Sequence, residues 1–156
     1  MQLAFAHANS FPAESYRCLL TLLKQQHELI TPALLAHHKN YPVTNGWPHL
    51  VEEYIAFLEA HSDATHPPAR WLIGHSMGGF LSLMVAQKRP DLAQGVILLD
   101  APIIGGWKAK VLQLSKITGL VWRVAPAKFS KVRREKFESS EQAFSHFRGK
   151  KVFAGF

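Results

Sequence analysis

A chain of 156 residues with 47% apolar and only 19% charged side chains has the material for a buried core, which sets it apart from disordered proteins and fits one domain. Its single cysteine, Cys18, excludes an intramolecular disulfide and a cysteine-based zinc site and makes a cytoplasmic location the default expectation. The net charge of +7 is divided unevenly, with residues 1–104 summing to −2 and residues 105–156 to +9.

The opening MQLAFAHANSFPAE has no basic n-region and too short an apolar run for a secretory signal. Gln2–Ala6 reads as a buried strand entering a turn-forming loop, His7-Ala8-Asn9-Ser10-Phe11-Pro12. Over Ala13–Gln26 the spacing of Tyr16, Leu19, Leu20 and Leu23 predicts a helix, with Glu14 and Lys24 matching its dipole. His27–Leu35 predicts a second strand, and the following Asn-, Pro-, Gly- and His-rich stretch a long loop. Leu50, Tyr54, Phe57 and Leu58 mark a second helix, ended by the polar run His61–Thr65 and by Pro67-Pro68. Arg70–Ile73 follows as a third strand, Met77–Lys88 as a third helix and Gln94–Leu99 as a fourth strand. Apolar strands alternating with helices over short connections describe an α/β fold, a mostly parallel sheet with helices on both faces. Beyond Asp100 no strand is evident, and helices are predicted over Lys108–Leu120, Lys131–Glu138 and Ser140–His146. No run of about 18 apolar residues suggests a transmembrane segment.

Gly74-His75-Ser76-Met77-Gly78, followed by Gly79, matches G-x-S-x-G, the nucleophile elbow. A serine at the tip of a sharp strand-to-helix turn sits in strained backbone, and side chains two residues to either side would collide with neighbouring chain, so glycine is required there. The helix that follows aims its N-terminal amides at whatever bonds to the serine oxygen. Such a pattern arises by chance on the order of once in twenty chains of this length. Its setting between the apolar WLI and the helical FLSLMVAQK favours Ser76 as a nucleophile over a simple packing role.

Acyl transfer needs two backbone donors for the oxyanion. One is expected from Met77, the residue after the nucleophile, and the other from the loop after the first strand, with Asn9 preferred and His7 and Ser10 as further contributors to the loop. Without the elbow, the same loop would read as an ordinary turn.

These segments carry a resemblance. LAFAHANSFPA, WLIGHSMGG and VILLDAP make residues 1–104 similar to the N-terminal part of the α/β-hydrolase family, of the esterase, lipase and haloperoxidase-like kind. Ala8 stands where the family's H-G pair has glycine. The resemblance implies a triad in the order serine, acid, histidine, and it sets residues 105–156 where the family commonly inserts a helical cap. No strand is read beyond Leu99, so the chain is expected to be truncated inside that cap, before the family's positions for the acid and the histidine. Within it, Asp100, at the end of a strand, is the best acid candidate. His75 is expected to point away from Ser76, and His7 to order the oxyanion loop.

The His37-His38 pair lacks the i, i+4 spacing of a helical metal site, and neither a metal nor an organic cofactor is expected. The basic stretch from Lys108 to Lys151 reads as a cap surface, since no nucleic-acid motif accompanies the charge. The partner expected is a small-molecule acyl substrate. The expected function is a serine hydrolase acting on an ester or similar acyl group when full length, the 156 residues alone being inactive. The competing reading is a non-catalytic α/β-hydrolase-like binding or regulatory protein.

Overall fold

The computed structural model describes residues 1–62, 69–103 and 137–150. The helices expected over 108–120 and across most of 131–138 lie outside the described residues, as does most of the stretch expected to end the second helix. The chain divides into two compact units, residues 1–103 and 104–156.

The first unit is a four-stranded, all-parallel sheet in the order β2-β1-β3-β4, with β1 at Gln2–Ala6, β2 at Glu28–Ile30, β3 at Arg70–His75 and β4 at Gly95–Leu99. A 3-10 turn, Ala13–Tyr16, leads into α1 (Arg17–Lys24); α2 spans Pro48–Ala60 and α3 Met77–Lys88. Helices cover both faces because the strands are apolar on both. In β1, Ala4 and Ala6 join Leu50, Tyr54 and Leu58 of α2 and Met77, Leu81 and Val85 of α3, whereas Leu3 and Phe5 pack with Ala13 and Leu20 on the other side. β3 splits with the same period of two, Leu72 going to the α2 and α3 face and Ile73 to the α1 face. Leu50, Leu58, Leu72 and Leu81 are wholly buried, each contributing about 2 kcal/mol relative to an exposed side chain.

The strand expected over His27–Leu35 ends at Ile30. Pro32 has no N–H for a ladder, and the chain instead turns over the end of the sheet. There Thr31 Oγ1 donates to the Phe5 carbonyl at 3.0 Å, and the Ala33 carbonyl accepts from Ala13 N–H at 3.1 Å. The helix expected over Ala13–Gln26 is shorter and begins as the 3-10 turn; Leu20 is its buried residue, while Leu19 is exposed.

At the amino-terminal edge of the sheet the Arg70 guanidinium is completely buried. It donates to Gln2 Oε1 at 2.5 Å, to the Leu58 carbonyl at 3.1 Å and to the His61 carbonyl at 2.8 Å. These bonds join β1, β3 and the end of α2. Arg70→Leu is expected to lower unfolding free energy by about 3 kcal/mol, because three acceptors lose a charged donor, a loss that urea denaturation would measure.

The connection through α1 carries the chain from β1 to β2 on one side, and the connection through α2 carries it back past β1 to β3 on the other. The carboxyl ends of β1 and β3 are therefore where successive connections part, the crevice in which open α/β sheets hold ligands.

In the second unit, α4 (Ser140–Arg148) is capped by Ser139, whose hydroxyl accepts from Gln142 N–H at 3.2 Å, while Gln142 Oε1 accepts from Glu138 N–H at 3.0 Å. No helix among the described residues is long and apolar enough to cross a membrane.

Candidate active site

Ser76 lies between β3 and α3 at φ 49° and ψ −112°, a region that side-chain-bearing residues rarely occupy. Three features hold it there. Its N–H donates to the carbonyl of Leu99, the last residue of β4, at 2.9 Å, and its own carbonyl accepts from Gly79 N–H at 3.0 Å and Phe80 N–H at 3.2 Å. A Cβ on Gly74 would overlap the carbonyl of Gly78, and one on Gly78 would overlap the carbonyl of Ala6 and stand 2.7 Å from that of His7. A Cβ on Gly79 would come within 2.6 Å of the Ala101 side chain. The glycines thus let the first turn of α3 sit directly against the end of β1. Met77 is the first residue of α3, and amides in a helix's first turn have no intrahelical acceptor.

The loop after β1 lies beside this turn. Asn9 and Ser10 are exposed, and Ser10 adopts φ 66°. Ala8 is buried and is not among the residues with positive φ, so the backbone there does not demand the glycine usual in the family's loop. The Ala8 carbonyl accepts from Phe11 N–H at 3.1 Å, closing the turn.

His7 is buried, and both ring nitrogens are engaged. Nε2 accepts from Leu35 N–H at 2.7 Å, which leaves Nδ1 to carry the proton and donate to the Ala8 carbonyl at 2.9 Å. Burial, the leading cause, pushes the imidazole below its ordinary value of 6.5, and the bond to the Ala8 carbonyl partly offsets it. The folded state therefore binds fewer protons at His7 than the unfolded chain. Its contribution to stability is complete above pH 6.5 and is lost as pH falls through the lower folded value. The thermal midpoint is expected to drop between pH 7 and pH 5, and to drop less in His7→Gln. Equal pH slopes for the two proteins would contradict this.

Asp100, one residue past β4, adopts φ 45°, and its carboxylate is 90% exposed with Oδ2 3.9 Å from His75 Nε2. His75 Nδ1 is 2.7 Å from the Tyr16 hydroxyl. Among the described residues no histidine nitrogen is hydrogen-bonded to Ser76 Oγ, and no group of three or more His, Cys, Asp and Glu side chains is placed to hold a metal ion. The end of the long loop is anchored beside the elbow, where Trp47 packs against Phe80 of α3 with ring centroids 6.5 Å apart. The sequence reading missed Tyr16, which its helical spacing marks only as one more apolar residue. Its hydroxyl accepts from Ala8 N–H at 3.1 Å as well as contacting His75.

The arrangement places a strained serine, a helix N-terminus and a small-residue loop together at the carboxyl ends of β1 and β3, parts that acyl transfer uses. Comparison with known proteins agrees with the fold. A sequence model described as Alpha/beta hydrolase family matches residues 3–155. No curated protein matches the chain. Among solved structures, the chain is similar to a crystal structure of a variant of PytH, with TM-score 0.51 and 22% identity over 67% of this chain and 41% of that one. It also matches one described as a predicted CIB-like hydrolase from Thermoplasma acidophilum, with TM-score 0.49 and 20% identity over 62% of this chain and 49% of that one. The chain thus spans about half the length, or less, of these structures. With the family match running over nearly all of its sequence, and a parallel sheet bearing a G-x-S-x-G turn at its carboxyl edge, the chain belongs to the alpha/beta hydrolase family.

Proposed function

We propose that residues 1–103 form the nucleophile-bearing half of a serine hydrolase acting on an ester or similar acyl substrate, with Ser76 as the nucleophile. The observation that carries this reading is the backbone of Ser76, held at φ 49° on the strand-to-helix turn against the amino terminus of α3. Ser76 Oγ attacks the acyl carbon, and its proton passes to a general base. Among the described residues no histidine meets Ser76 Oγ, so the base is assigned outside them; Asp100 is the acid candidate within them. The carbonyl oxygen becomes an oxyanion held by the Met77 and Asn9 backbone amides. Collapse of the tetrahedral adduct expels the alcohol, which takes up the proton, and water then releases the acyl group from the serine.

Labelling of the intact protein with a fluorophosphonate probe tests the assignment. The probe is expected to modify the protein and to fail on Ser76→Ala; equal labelling of the two would overturn the nucleophile assignment, and labelling of neither would favour a binding protein built on the same fold.

A further inference from the structure

The Tyr16 hydroxyl joins two segments far apart in sequence. Through its lone pair it accepts the N–H of Ala8, the residue before Asn9; it also meets Nδ1 of His75, the residue before Ser76, at 2.7 Å. Burial, partly offset by the bond from Ala8, raises the phenol above its ordinary value of 10.0, so at neutral pH it keeps its proton. The phenol and His75 Nδ1 share one hydrogen bond, and the other ring nitrogen, Nε2, lies 3.9 Å from the Asp100 carboxylate. The ring itself is fixed by Phe5 of β1, with centroids 4.8 Å apart, and edge-on by His75 at 5.7 Å.

We infer that Tyr16 is a positioning residue for the oxyanion hole, its hydroxyl clamping the loop that carries Asn9 to the elbow that carries Ser76 and Met77. The inference rests on the assignment of Ser76 as nucleophile. An oxyanion hole works only if its two donors stand at a fixed separation before charge develops. Met77 is set by α3, a rigid element, but Asn9 lies on an exposed loop. The covering bonds of that loop are the turn closed by Phe11 N–H, the His7 ring and the Tyr16 hydroxyl. Of these, the Tyr16 bond alone runs to the elbow. Deleting it leaves ground-state binding of an acyl substrate intact and loosens the donor pair where the transition state needs it.

Tyr16→Phe keeps the ring on Phe5 and removes the hydroxyl. With p-nitrophenyl acetate as probe substrate, kcat of the intact protein is expected to fall about 10- to 100-fold with KM changed less than about twofold. The inhibition constant of a trifluoromethyl ketone, which forms the tetrahedral adduct, should rise by the same factor as kcat falls. His75→Leu removes the other end of the clamp and should give a similar loss. The double variant should be scarcely worse than either single one, and His75→Asn, whose amide can still meet the phenol, should recover part of the rate. An unchanged kcat in Tyr16→Phe would overturn the clamp, as would additive losses in the double variant. If Tyr16→Phe does not fold, the comparison of His75→Leu with His75→Asn decides alone, equal rates counting against the clamp. Failure here is separable from failure of the nucleophile assignment, because only the latter leaves fluorophosphonate labelling intact in Ser76→Ala.

Discussion

Gly78→Ala is expected to be among the most damaging methyl groups that can be added to the described residues. The new Cβ would be driven into the backbone carbonyl of Ala6, with the carbonyl of His7 at 2.7 Å. Neither is the end of a flexible side chain. β1 is paired on both sides, with β2 and with β3, so it cannot retreat without breaking a ladder. The alternative is displacement of α3, which carries Leu81 and Val85 into the main core. Either movement costs on the order of 3 kcal/mol or more, the upper end of what overpacking does. Catalysis should fall further than stability, since the same shift separates the loop bearing Asn9 from the turn bearing Ser76. Gly149 provides the contrast: a Cβ there would meet the Ser145 carbonyl at an ordinary 3.5 Å, and Gly149→Ala should stay within about 0.5 kcal/mol of the parent. Urea midpoints of the two variants measure the difference, and a Gly78→Ala protein as stable as its parent would contradict the packing at the elbow.

At Ser76 the largest effect is on rate. Removing the oxygen in Ser76→Ala should lower kcat of the intact protein toward p-nitrophenyl acetate by about 10⁴-fold or more, as expected when a covalent nucleophile is deleted. Stability should respond differently. The backbone at φ 49° and ψ −112° strains any residue with a Cβ, at about 1–3 kcal/mol, and alanine keeps that strain. Ser76→Gly relieves it, against a loss of about 0.5–1 kcal/mol from the greater freedom of glycine in the unfolded chain. Both variants should therefore be inactive, with Ser76→Gly melting above Ser76→Ala. Reversal of that order would mean that the turn is not strained in solution.

Where local chemistry decides the structure, the sequence was readable. The glycines around Ser76 announce a turn because the constraint is steric and lies within five residues, and Met77–Lys88 follows it as a helix with the expected bounds. β1 and β4 were visible as short apolar runs for the same local reason. β2 was overextended because Leu34 and Leu35 look like strand, whereas Pro32 and the bonds from Thr31 and Ala13 turn the backbone away. Those partners are distant in sequence. Asn9 and Met77 could be nominated from the motif, but their spacing depends on Tyr16, whose two contacts come from the loop after β1 and from the end of β3. A hydroxyl on an amphipathic stripe carries no sign of which backbone it will bind.

The bond from Ser76 N–H to the Leu99 carbonyl has a consequence for the order of assembly. β1, β3 and α3 can dock once residue 88 is in place, yet the amide that fixes the serine's geometry has its acceptor at the last residue of β4. During synthesis from the amino terminus, the elbow is therefore set late, after its own strand and helix have already been made. The geometry of Ser76 is complete only once β4 has paired with β3.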